Sequence, residues 1–85
     1  MKVLHTDGTS YELKDKSLES MQSVVQGYIE IVRVYDEKYP NHILVVNDFI
    51  PPEKRNNFFA NRYASQLAKQ NIFGTAILAE DNEIE

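Results

Sequence analysis

Tyr28, Glu30, Asn47, Asp48, Asn61 and Arg62 have the most scope for chemistry in this chain. An arginine such as Arg62 presents a planar fork that matches a carboxylate or a phosphate. Asn61 stands among apolar neighbours, and an amide both donates and accepts, so it can satisfy loop backbone as readily as a ligand. Glu30 and Asp48 could converge if their segments pair as strands. Two carboxylates alone define neither a glycosidase nor a divalent-metal site, because separation and burial decide that. These six residues are therefore a candidate binding site. No catalytic residue, metal ligand or cofactor is assigned, and the chain is not read as an enzyme.

Other reactive types are too scattered to act together. His5 and His42 do not fall at a metal-ligand spacing. Ser17, Ser20 and Ser23 recur every three residues without the Gly-x-Ser-x-Gly frame of a hydrolase elbow. The three glycines form no phosphate-cradling loop. Asp36-Glu37 sits beside Lys38 and reads as a solvated loop. Lys54 and Arg55 in "PPEKRNN" form a small basic turn, too little positive charge for a nucleic-acid surface.

Composition narrows the class further. The 85 residues suit one domain with a single modest core. There is no cysteine, so disulfides and thiolate chemistry are excluded, in keeping with a reducing cytoplasm. The start "MKVLHTDG" has no long apolar stretch and does not read as a signal peptide. No window is apolar enough to span a membrane. The net charge is −4, and Glu80, Asp81, Glu83 and Glu85 account for it, leaving a neutral body. A neutral body argues against phosphate-backbone binding. Residues 80–85 are expected to be a frayed acidic tail on a domain of residues 1–79.

The elements that must position the six candidates follow from local pattern. "TDGT" between strand-like runs predicts a tight hairpin of residues 2–5 with 10–13, both central residues taking positive φ. Ser17 is placed to cap a helix whose apolar stripe is Leu18, Met21, Val24 and Val25. Gly27 is expected to end it in the left-handed conformation. "YIEIVRVY" alternates as a strand, with Tyr28 and Glu30 on one face, and resembles a central strand. "ILVVN" reads as an interior strand. "NNFFANRYASQLAKQN" predicts a second helix on which Phe59, Tyr63 and Leu67 share a face and which Asn71 closes. "IFGTAILA" is a last strand with a special backbone position at Gly74. The expected fold is α+β, in the order β-β-α-β-β-α-β, with two helices packed on a mainly antiparallel sheet.

The ordered set "LESMQSVVQGYIEIV", "ILVVND", "FFANRYASQLA" and "IFGTAILAE" resembles a family of small domains of unknown function common in phages, plasmids and other mobile elements. That family carries Gly-Gly-Tyr-Ile-Glu, Val-Asn-Glu, Pro-Pro-Asn-Arg-x-Ala and a final strand with a central glycine. Gly27, Tyr28, Ile29 and Glu30 match the first motif, with Gln26 in place of its first glycine. Asn47 and Asp48 match the second with Asp for Glu, and Asn61, Arg62 and Ala64 match the third with Phe59-Ala60 for Pro-Pro. Gly74 matches the last glycine, and the resemblance spans about residues 11–79. Without Pro-Pro, the second helix is expected to begin as early as Pro52. The resemblance implies an origin in a mobile element and a setting inside a bacterial host cell. It transfers no catalytic residue.

The expected function is that of a phage or mobile-element accessory protein that binds a host protein, including a counter-defence role. Tyr35, Tyr39, Phe49 and Phe58 are the candidate aromatic anchors. The alternative is a site in which Tyr28, Asn61 and Arg62 hold a nucleotide-like anion, including at the interface of a homo-oligomer.

Overall fold

Apolar residues at successive positions in residues 43–46 and 76–79 send side chains to both faces of a sheet, so each face needs a cover. A computed structural model, which describes residues 1–48 and 59–84, shows that cover. The strands are β1 (Lys2–Leu4), β2 (Ser10–Glu12), β3 (Ile29–Arg33), β4 (His42–Asn47) and β5 (Ala76–Glu80). The helices are α1 (Leu18–Val25) and α2 (Arg62–Ala68), and a 3-10 turn spans Asp81–Glu83. The sheet order is β2-β1-β5-β4-β3, and every neighbouring pair is antiparallel. The fold is α+β, with the order of strands and helices expected from the sequence.

The helices lie on opposite faces. Met21 and Val25 of α1 pack with Val3, Val45, Ile77 and Ala79. Ala64, Leu67 and Ala68 of α2 pack with Leu4, Val32, Leu44, Val46, Ala76 and Leu78. Alternate residues of β4 and β5 thus divide between two cores, which is why these two strands are apolar throughout. Burying one Leu or Val side chain stabilises by roughly 1.5–3 kcal/mol, so both faces matter to so short a chain.

Several local expectations are corrected. The hairpin loop has three residues, Thr6 to Gly8, rather than two. The Gly8 N–H donates to the His5 carbonyl (3.2 Å) and the His5 N–H to that of Thr9 (2.9 Å). Only Gly8 takes positive φ (92°), the arrangement of a turn closed by a glycine bulge. Asp7 instead uses its carboxylate, which accepts from the Thr9 backbone N–H and hydroxyl.

Among the described residues strand β3 is an edge strand and not a central one. Its apolar character reflects two-sided use: Ile29 packs on the α1 side, whereas Val32 and Val34 enter the α2 core. Helix α2 starts at Arg62, far later than Pro52, because Asn61 caps it and Ala60 is held extended in a bridge to Phe73. Phe59 therefore shares no helical face with Tyr63 and Leu67. Lys69, at φ 57°, ends α2 in place of Asn71. Pro52 and the Lys54-Arg55 turn lie outside the described residues.

Candidate functional site

Helix α1 begins at Ser17, whose hydroxyl accepts from the Ser20 N–H (3.1 Å). It ends at Gln26, which adopts the left-handed conformation at φ 63° that was expected of Gly27. A side chain at this conformation carries a modest backbone cost, which leaves the glycine to be explained by its surroundings. Asn47, opposite Ile29 on β4, points towards the helix end. Its amide nitrogen donates to the carbonyls of Val25 and Gln26, both at 3.1 Å. A Cβ on Gly27 would stand 2.6 Å from that nitrogen. Gly27 makes room for a strand side chain that caps the helix.

Asn61 performs a parallel task on the other face. It is only 1% exposed. Its oxygen accepts from the Ala64 N–H (3.1 Å), and its nitrogen donates to the carbonyls of Leu4 and Gly74, both at 2.9 Å. The Asn61 backbone N–H donates to Ile72 (2.8 Å). One residue thus ties the end of β1, the start of α2 and the approach to β5. Gly74, at φ 81°, supplies the bend that brings its carbonyl there. Ser65 adds a second tie, its hydroxyl accepting from the Ile72 N–H at 2.8 Å.

The six candidate residues do not form one constellation. Asn47 faces α1. By strand parity Tyr28, Glu30 and Asp48 share the opposite face, and the Asp48 N–H donates to the Tyr28 carbonyl (2.7 Å). Glu30 pairs with Val46, so Glu30 and Asp48 are diagonal neighbours on one face rather than partners across a cleft. Both of the Asn61 amide protons are engaged internally, which leaves none for a ligand. Arg62 is exposed at the start of α2 and makes none of the ion pairs found among the described residues.

Two polar clusters carry no local sequence signal. The first lies where the chain's ends meet. Glu83 receives the Lys16 ammonium at 2.6 Å and the Met1 amine at 3.3 Å, and Glu12 takes the same amine at 2.8 Å. The Glu80 N–H adds a bond to Glu83 at 2.9 Å. The Lys16 contact, followed by the Glu80 N–H, pulls the Glu83 carboxyl down to about 2. Burial opposes charge on the Met1 amine, but its bonds to Glu12 and Glu83 prevail and raise its pKa. The frayed tail expected at residues 80–85 is replaced, over Glu80–Ile84, by a docked segment. The Asp81 N–H donates to Asn41 (2.8 Å), and Ile84 packs against the α1-side core.

The second cluster joins Tyr39 and Tyr63 by their hydroxyls at 2.9 Å. The bond to Tyr39, reinforced by burial, pushes the Tyr63 phenol up to about 12. Tyr39 also packs edge-on against His42, whose Nδ1 lies 2.8 Å from the Pro40 carbonyl oxygen. Of the expected aromatic anchors, Tyr35 is 57% exposed and Tyr39 is half-buried against the α2-side core. Phe49 and Phe58 lie outside the described residues.

No helix among the described residues is long and apolar enough to cross a membrane. Neither the curated proteins nor the solved structures return a match to this chain. Residues 1–85 match the family described as a domain of unknown function, DUF3846, and the chain belongs to that family.

Proposed function

We propose that this protein acts by binding, as an accessory protein of a phage or other mobile element, and that its target is a protein of the bacterial host cytoplasm. A counter-defence inhibitor is the form of this reading that needs the least machinery, since inhibition requires a complementary surface and no catalytic group. The observation that carries it is two aromatic side chains left in solvent, Tyr28 and Phe59. Tyr28 is 78% exposed and Phe59 75%. Phe59 borders a hollow of about 100 Å³ with Val24, Val25 and Gln26, and Tyr28 follows Gln26 by two residues. Aromatic residues of this kind concentrate binding energy when a partner covers them.

The test is affinity capture from host lysate, with mass spectrometry of the retained proteins, using the wild-type chain and a Tyr28→Ser/Phe59→Ser variant. Neither side chain supports the core, so the variant is expected to fold normally and to lose the specifically retained partner. Equal retention by both proteins, or no retention by either, overturns the reading.

A further inference from the structure

The two ends of the sheet are not alike. Strand β2 is a short edge, followed closely by Lys14, Asp15 and Lys16. Short strands and nearby charge are common ways of discouraging further pairing. Strand β3 is longer, and among the described residues no strand pairs with its outer side. Residues 28–35 contain no proline, lysine or glycine, and Glu30 and Arg33 cancel in charge. Ile31 on this edge is 46% exposed.

The ladder fixes which backbone groups face outward. The Asp48 N–H donates to the Tyr28 carbonyl, and Tyr28 lies opposite Asp48 in continuation of the Ile29–Asn47 register. Hydrogen-bonded pairs alternate along an antiparallel ladder. Tyr28, Glu30 and Val32 therefore turn their backbone groups towards β4. Ile29, Ile31 and Arg33 turn theirs outward, symmetrically about Ile31.

From this we infer that edge strand β3 pairs with a second copy of this chain, antiparallel, on a two-fold axis through Ile31. In that register Ile31 faces the partner's Ile31, and Ile29 faces the partner's Arg33. Each of these facing pairs exchanges both hydrogen bonds, so all the outward groups of β3 are satisfied. A strand pair built on such an axis keeps each face of the sheet continuous, and the α1 side of one copy adjoins the α1 side of the other. Arg33 covers the partner's Ile29 with its aliphatic stem and keeps its guanidinium in water. Glu30 faces the partner's Val32, and no like charges stand directly opposite.

The size of the contact sets its strength. Covering what Tyr28, Tyr35 and Ile31 still expose, with the stems of Glu30 and Arg33, removes at most on the order of 500 Å² per copy. The total is at most about 1,000 Å², the lower bound for a specific interface, so the dimer is a weak one. The host-binding reading shares Tyr28 with this pairing but also needs Phe59, which is not part of β3, so Phe59→Ser alone separates the two: it is expected to leave the dimer unchanged.

Sedimentation equilibrium from micromolar to millimolar concentration reads the association directly. The weight-average mass is expected to rise from 9.8 kDa towards twice that value. Ile31→Lys is expected to raise the dimer dissociation constant at least ~10-fold by placing two ammonium groups on the axis, with the melting temperature of the monomer unchanged. The chain has no cysteine, so a single introduced thiol reports without interference. In glutathione buffer, Ile31→Cys is expected to form a disulfide-linked dimer, and Tyr11→Cys on the other edge is not. A wild-type chain that stays monomeric at millimolar concentration overturns the inference. So does a dimer unaffected by Ile31→Lys, equal cross-linking at both edges, or an Ile31→Cys thiol that joins only a host protein and never its own copy.

Discussion

A Cβ atom on Gly27 would lie 2.6 Å from the amide nitrogen of Asn47, closer than real non-bonded carbon contacts allow. The glycine is therefore required by a neighbour on β4 and not by its own backbone angles. Gly27→Ala is expected to destabilise the protein by about 1–3 kcal/mol through overpacking. Asn47→Ala should cost about 1–2 kcal/mol by uncapping Val25 and Gln26. In the double variant the Gly27→Ala penalty should largely vanish, because the clash has gone. Urea unfolding of the four proteins checks this as a double-mutant cycle, and additive losses would contradict it.

Asn61 offers a sharper case of a polar residue that the fold cannot release. Asn61→Ala removes the α2 cap and leaves the buried carbonyls of Leu4 and Gly74 without their donor. The expected loss is about 2–4 kcal/mol. Asn61→Asp keeps the cap acceptor but aims a charge at both carbonyl oxygens, so it should also be strongly destabilised. Arg62→Ala, one residue away and exposed, should leave the melting temperature within about a degree. Thermal unfolding of the three variants distinguishes a tie between elements from a general sensitivity of this region.

The cluster at the chain's ends makes stability depend on pH from both sides. Glu83 is held at about 2, below its ordinary 4.5, chiefly by Lys16. A depressed carboxyl contributes stability that is present above 4.5 and is lost as pH falls towards about 2. The Met1 amine is raised above 8.0, so its contribution is present below 8.0 and is lost as pH rises through the raised value. Melting temperature measured across pH should show a low-pH fall that Glu83→Gln largely removes. Deleting residues 80–85 should lower the melting temperature as well, since it takes away Glu83 and Ile84 together. An unchanged midpoint in the truncated chain would restore the picture of a frayed tail.

The Tyr39–Tyr63 bond can be read by ultraviolet titration. The Tyr63 phenol is expected to ionise near 12, with its hydrogen bond intact below pH 10.0 and lost as pH rises through that raised value. Tyr39→Phe should bring the late ionisation back towards that of the other tyrosines. A late phase that survives Tyr39→Phe would assign it to another residue.

What the residues determine alone is the set of elements and their order. Apolar runs at 43–46 and 76–79, the Ser17 cap and the stripe from Leu18 to Val25 place strands and α1 correctly, because each depends on contacts within a few positions. Local pattern also singles out Asn61 as a polar residue in apolar company and places Asn47 at the end of a strand. It cannot say what they bind, since their partners are carbonyls 21, 22, 57 and 13 residues away. The start of α2 escapes local pattern for the same reason: without Pro-Pro at residues 59–60 nothing in the sequence just before Asn61 marks a boundary, but the Asn61 cap and the Ala60–Phe73 bridge set it. Only the tertiary structure decides that β3 is an edge, that the helices cover opposite faces, and that Met1, Glu12, Lys16 and Glu83 meet. Strand order and end-to-end charge contacts are non-local, and no short window of sequence contains them.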